Sequence, residues 1–115
     1  MNHRGNVSEM HNRMQDELVD ILERRQRDPR VRKEHHVPNQ QGGEFVIDVA
    51  DLTAFPPTYY EVEERPSAKI KRYREAFAAG TGRDVVVLYV SLMRRELGRN
   101  PRVNDLRSWI KERVI

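Results

Sequence analysis

Cysteine is absent from the 115 residues, which excludes disulfides, thiolate metal sites and a cysteine nucleophile. Long apolar runs are missing too. No stretch approaches the roughly 18 residues needed to span a bilayer, and no continuous apolar segment marks a secretory leader. A soluble, cytoplasmic chain without a membrane partner is expected. Apolar residues make up only 37% of the chain against 34% charged. A single domain over 1–115 with a thin core is therefore expected, its first six residues flexible, and a second copy of the chain could cover part of its apolar surface in a homodimer. Lysine is also scarce, since 17 of the 21 cations are arginine in a chain of net charge +3. The arginine fork suits phosphate oxygens, and nucleic acid is the natural partner of such a surface.

The apolar positions Val7, Met10, Met14, Leu18 and Ile21 recur at helical spacing. Asn6 is placed to cap this first helix and Glu9 to complete a capping box. Val31 to Val37 is irregular, with a possible edge strand before Pro38, and Asn39 to Gly43 reads as a turn. Glu44 to Leu52 reads as a buried strand in which Phe45, Ile47 and Val49 point one way and Val46, Asp48 and Ala50 the other. Tyr59 to Glu63 alternates as the next strand.

Pro66 suits the start of a second helix with Ile70, Tyr73 and Phe77 as its buried stripe, ended by Gly80-Thr81-Gly82. Val85 to Val90, apolar throughout, reads as a central strand. A Gly- and Pro-containing connection then leads to a last amphipathic helix with Val103, Leu106, Trp109, Ile110 and Val114, capped by Asn104. The order helix, two or three strands, helix, strand, helix implies an α/β or α+β sandwich around a small mixed sheet flanked by helices.

The chemistry centres on carboxylates. Asp48 lies in a segment that is otherwise apolar, and a buried unpaired carboxylate costs several kcal/mol unless a partner or cation compensates it. Glu61 and Glu63 are two residues apart on a strand and so share one face. Two acids on one strand and one on its neighbour can converge on a hard cation, and Mg²⁺ held by one or two carboxylates keeps waters free to attack a phosphodiester. Glu17 falls about 60° from the centre of the first helix's apolar stripe and borders the buried face. The competing reading of Glu61, Glu63 and Glu64 is a solvated edge-strand face.

The segment Phe45-Val-Ile-Asp-Val-Ala followed by Tyr59-Tyr-Glu-Val-Glu, with Glu61 thirteen positions after Asp48, resembles the PD-(D/E)XK nuclease superfamily, and within it the archaeal Holliday junction resolvases. The helix carrying Glu17 and the Gly42-Gly43 turn belong to the same likeness, which covers roughly 10–90. The resemblance implies a restriction-endonuclease-like sandwich and a Mg²⁺- or Mn²⁺-dependent endonuclease acting on branched DNA. It makes Asp48 and Glu61 metal ligands, the Val62 carbonyl a third donor and Glu17 a first-helix acid near the metal.

Two positions depart from the family pattern: Ile47 stands where proline is frequent, and Glu63 where the motif usually has lysine. Three explanations stay open. Glu63 itself holds the attacking water, or Lys69, about 73° from the centre of the second helix's stripe, reaches the site while Lys71 at about 127° points away; otherwise the fold has lost cleavage and only binds nucleic acid. A small regulator whose acids merely balance its arginines is the alternative from another class.

Two basic groups could flank the acids and hold phosphates: Arg24, Arg25, Arg30, Arg32 and Lys33, and then Lys69, Lys71, Arg72 and Arg74. His35-His36 is discounted as a metal pair, because neighbours on an extended chain face opposite ways. Gly80-Thr81-Gly82 is no phosphate loop, since it ends a helix instead of opening one.

Overall fold

A computed structural model describes residues 8–114; the expected Asn6 cap, Val7 and the expected flexibility of residues 1–6 lie outside them. Helix α1 (Glu9–Arg24) begins where Ser8 accepts a hydrogen bond from the His11 backbone N–H at 3.0 Å. Strands β1 (Val31–Pro38), β2 (Glu44–Asp51) and β3 (Thr58–Glu63) follow, then helix α2 (Ala68–Thr81), strand β4 (Val85–Tyr89) and helices α3 (Val90–Leu97) and α4 (Val103–Arg113). The architecture is α/β, with a four-stranded mixed sheet flanked by four helices. No helix among the described residues is long and apolar enough to cross a membrane.

The strands lie in the order β1-β2-β3-β4, antiparallel from β1 to β3 and parallel between β3 and β4. A parallel neighbour needs a crossover, which α2 supplies. That helix is capped by Ser67 and closed by Gly82 at φ 73°, a left-handed conformation that glycine adopts without cost. Gly80 sits where α2 passes the 39–43 turn. A Cβ there would come within 2.5 Å of Asn39 Oδ1, and its carbonyl accepts the Gln40 N–H.

Several expectations are corrected. β4 is an edge strand, not a central one; its apolar row arises because α2 covers one face of the sheet while α1, α3 and α4 cover the other. The connection after β4 contains α3, a helix too short to declare itself by periodicity. α4 starts after Arg102 without a side-chain cap, so Asn104 lies inside its first turn. Of the expected stripe, Leu106, Trp109, Ile110 and Val114 are buried in the chain's own core together with Met14, Leu18 and Leu22, whereas Val103 is exposed. Those four are thus spent within one copy.

The strict alternation expected along β2 also fails, at one residue. Phe45 and Ile47 pack with Phe77 on the α2 side, but Val49 packs with α1, and Ala50 returns to the α2 side. β1 changes face at the same level: Val31 lies against the α1 cluster, Val37 against the α2 cluster. The register runs evenly past this point, with Lys33 opposite Val49 and His35 opposite Ile47, so both strands turn over together around Glu34 and Asp48. Glu34 has φ 48°, a conformation L-residues rarely hold in a strand. This shared kink places the Asp48 side chain between β2 and β3.

If the kink depends on that conformation, Glu34→Gly should leave stability within about 0.5 kcal/mol or raise it, while Glu34→Val, β-branched at positive φ, should lose about 1–3 kcal/mol. Urea denaturation compares the two; equal stabilities would remove the role assigned to the backbone at 34.

Candidate functional site

β2 and β3 pair from Asp51↔Thr58 to Val49↔Tyr60 and then part, so that the next two residues in line, Asp48 and Glu61, have no ladder partner in each other. Their side chains do the work of the ladder. Glu61 Oε2 accepts the Asp48 backbone N–H at 2.9 Å, and Asp48 Oδ2 accepts the Val62 N–H at 2.9 Å. The two carboxylates are thus held against each other inside the sheet, 2% and 1% exposed.

Both faces contribute to the surroundings. From α1, His11 Nε2 stands 3.4 Å from Asp48 Oδ2, and Gln15 Nε2 donates to the Asp48 carbonyl at 3.1 Å. Both are buried, at 5% exposure. From α2, Tyr73 donates to the Val46 carbonyl at 3.4 Å, and burial pushes its hydroxyl above the ordinary tyrosine value. Glu63 lies one pleat beyond Glu61 on the same face, half-buried, and its charge adds to the field on Glu61.

Burial, and then the adjacent Asp48, push the Glu61 carboxyl up to about 10. Two carboxylates this close in a site shielded from water cannot both ionise unless a positive charge joins them. In the bare chain that charge is a proton on Glu61. Glu61 Oε1 is buried and takes no part in the Asp48 amide bond, so it is the oxygen that a cation in the proton's place would meet. The pair therefore fits a shared cation of the Mg²⁺ type, which needs only one or two carboxylates. No group of three or more His, Asp or Glu side chains is placed as a metal cage among the described residues.

The other expected site residues are distributed differently. Glu17 is bound by Arg107 of α4 at 2.6 Å, and Arg107 also reaches Asp20 at 2.8 Å. On the α1 wheel Glu17 lies about 140° from the His11–Gln15 face that meets Asp48. It serves the α1–α4 contact and not the acid pair. Lys69 is exposed one turn before Tyr73, with no ion pair to the acids among the described residues. Lys71 and Arg72 are exposed on the same helix, and Arg74 is paired with Asp84 at 3.0 Å.

Of the first basic group, Arg24 pairs with Asp20, Arg25 donates to the Val114 carbonyl at 2.7 Å and Lys33 pairs with Asp16. Arg32 and Lys33 stand opposite Ala50 and Val49, next to Asp48 on the neighbouring strand. Comparison with protein families, with curated proteins and with solved structures gives no match.

His11, Gln15 and Tyr73 were not among the expected site residues. A signal existed for the first two: they continue the row Leu18–Leu22 towards the N-terminus of α1, polar where that buried row should be apolar.

A carboxyl whose folded pKa lies above its unfolded value of about 4.5 stabilises the fold fully only below that value, and the contribution is lost as pH rises towards 10. Stability should therefore fall between pH 5 and 9 through this group. Glu61→Gln keeps the shape and removes the ionisation, and should melt at least about 4 °C above the parent at pH 9 but not at pH 5. Thermal melts across this range test it; identical slopes for parent and variant would show that Glu61 does not carry the buried proton.

Proposed function

We propose that the chain is a metal-dependent endonuclease acting on DNA, with branched or structured DNA as its substrate. The observation that carries this reading is the direct contact of Asp48 and Glu61 within the sheet, on adjacent antiparallel strands. It is the juxtaposition that the resemblance to the PD-(D/E)XK nucleases requires. Asp48 and Glu61 would hold Mg²⁺ or Mn²⁺, with the Val62 carbonyl as a further donor. The ion would supply Lewis acidity towards a phosphodiester oxygen and a more acidic bound water.

The residues of the chain divide the remaining tasks. Asp48 is aimed by the Val62 N–H and flanked by His11, so its carboxylate is set before a ligand arrives. Glu61 gives up its proton when a cation takes the proton's place, and Gln15 fixes the backbone at Asp48 from below. Glu63, on the Glu61 face and nearer solvent, orients the attacking water and takes up its proton, the work for which the family motif usually carries lysine. Arg32 and Lys33 on β1 and Lys69, Lys71 and Arg72 on α2 hold the phosphates on either side. The apolar stripe of α4 lies inside the fold, so nothing in this arrangement requires a dimer for a single cut.

Incubation with branched and linear DNA, with Mg²⁺ or Mn²⁺ and with chelator, should give cleavage that Asp48→Ala and Glu61→Ala each reduce by at least about 10³-fold, since several kcal/mol of charge stabilisation are removed. DNA binding measured by fluorescence anisotropy should hold or tighten, because repulsion between acids and phosphates is relieved. Glu63→Ala should lose most activity; if it cuts normally while Lys69→Ala does not, the water-orienting role belongs to α2. Binding without cleavage by the parent chain would leave a nucleic-acid-binding protein whose acids are structural.

A further inference from the structure

Among the described residues two large apolar side chains are exposed, Val103 at the start of α4 and Phe55, 92% exposed in the connection between β2 and β3. A phenyl ring left in water forgoes about 1.5–3 kcal/mol of burial. The loop under it is nevertheless firmly built. The Leu52 N–H donates to the Arg30 carbonyl at 2.7 Å, Thr53 Oγ1 accepts the Arg30 N–H at 2.9 Å, and the Thr53 N–H donates to Asp51 Oδ1 at 3.0 Å. Pro56 and Pro57 then fix φ at the two positions after the ring. The same loop stands between arginines. Arg30 immediately precedes β1 and Arg83 shortly precedes β4, and both strands begin at this end of the sheet, with Val31 opposite Asp51 and Val85 opposite Tyr59. The charge of Arg83 acts on the Tyr59 hydroxyl. Arg30, Arg83 and the nearby Arg27 are all exposed. The acids here are largely engaged: Asp51 is buried with its oxygens taken by Gln26 and Thr53, and Asp84 is bound to Arg74, which leaves Asp28 among the arginines.

We propose that this loop is a stacking platform for single-stranded nucleic acid, in which an unpaired base lies on the Phe55 ring and Arg30 and Arg83 take the phosphates to either side. The chemistry selects this occupant. A protein partner needs an apolar patch of several hundred Å², and neither the loop nor the arginine segments beside it expose a second large apolar side chain. A lone ring suits a ligand whose apolar part is itself one flat face, and every base has such a face. β1 and β4 lie on the two sides of the β2–β3 pair, which sets the backbones of Arg30 and Arg83 roughly 14 Å apart, three strand spacings, with the ring between them. Their guanidinium forks suit phosphodiester oxygens. A duplex keeps its base faces stacked inside, so the strand that meets Phe55 must be unpaired. The loop closes the short ladder from Asp51↔Thr58 to Val49↔Tyr60 at the end away from Asp48 and Glu61. The contact uses neither acid, so it and the nuclease reading can fail separately.

Fluorescence anisotropy of a labelled oligothymidine, titrated in chelator so that no cleavage intervenes, tests this. The parent chain should bind it, and Phe55→Ala, at a position outside both cores, should weaken binding at least about 5-fold, the lower end of what one stacked base is worth. Phe55→Trp should keep the parent affinity, and the emission of its exposed indole should be quenched as the oligonucleotide saturates, against a constant background from the buried Trp109. Arg30→Ala with Arg83→Ala should lower the slope of log affinity against log salt by about 1.4, the share of two phosphates on a single strand. Binding by Phe55→Ala as tight as the parent's overturns the proposal, as does unchanged emission of Phe55→Trp at saturation or an unaltered salt slope in the double arginine variant. A parent chain that ignores the oligonucleotide but adheres to phosphatidylserine vesicles through Phe55 would overturn it in favour of a membrane surface.

Discussion

The carboxylate–amide exchange between Asp48 and Glu61 is the interaction on which the rest of this structure turns. Where β2 and β3 part, two backbone N–H groups would be left buried without acceptors, at a cost of about 1–3 kcal/mol each. The acids supply those acceptors, each from the opposite strand. The strands can therefore separate inside the sheet without water entering, and the space so opened receives His11 from one face and Tyr73 from the other. A hydrophobic pair in the same places would fill the gap but leave both amides unsatisfied.

The arrangement stores a conflict as well as resolving one. Each carboxylate is a good acceptor, yet together in a buried site they share room for only one negative charge. The bare chain meets this by protonating Glu61. That choice leaves the pair dependent on one proton, and His11, Gln15 and the Val62 amide hold its geometry steady.

Much of this was open to reading in the sequence, and the reasons for the rest are specific. Asp48 and Glu61 stood out because a charged residue in an otherwise apolar strand is expensive, and such expense has few explanations. The helices α1, α2 and α4 and the strands β2, β3 and β4 followed from periodicity and breakers, whereas β1 read only as a possible edge strand in an irregular segment. The face change at Asp48 was invisible because period-2 reasoning assumes an unbroken pleat, and nothing in the residue types of Glu34 announces a positive φ. Glu17 was misplaced because an angle from a helix stripe says which residues border the core, not which neighbour they meet; Arg107, ninety positions away, decided it. β4 looked central because apolar residues on both sides report two covered faces, whereas centrality concerns the edges. α3 was lost because a helix of eight residues contains barely two turns.

The passage from β4 into α3 has no intervening residue, Tyr89 being the last of the strand and Val90 the first of the helix. The Ser91 N–H is also tied to the Glu64 carbonyl just past β3, and the Glu64 carboxylate takes the hydroxyl of the α1 cap, Ser8. Three elements are thereby pinned to one short span, and the chain has no slack there. Its spare length lies elsewhere, around Phe55, 92% exposed in the connection after β2. Evolution could lengthen this domain, or an engineer splice a reporter into it, at that stretch without disturbing the carboxylates.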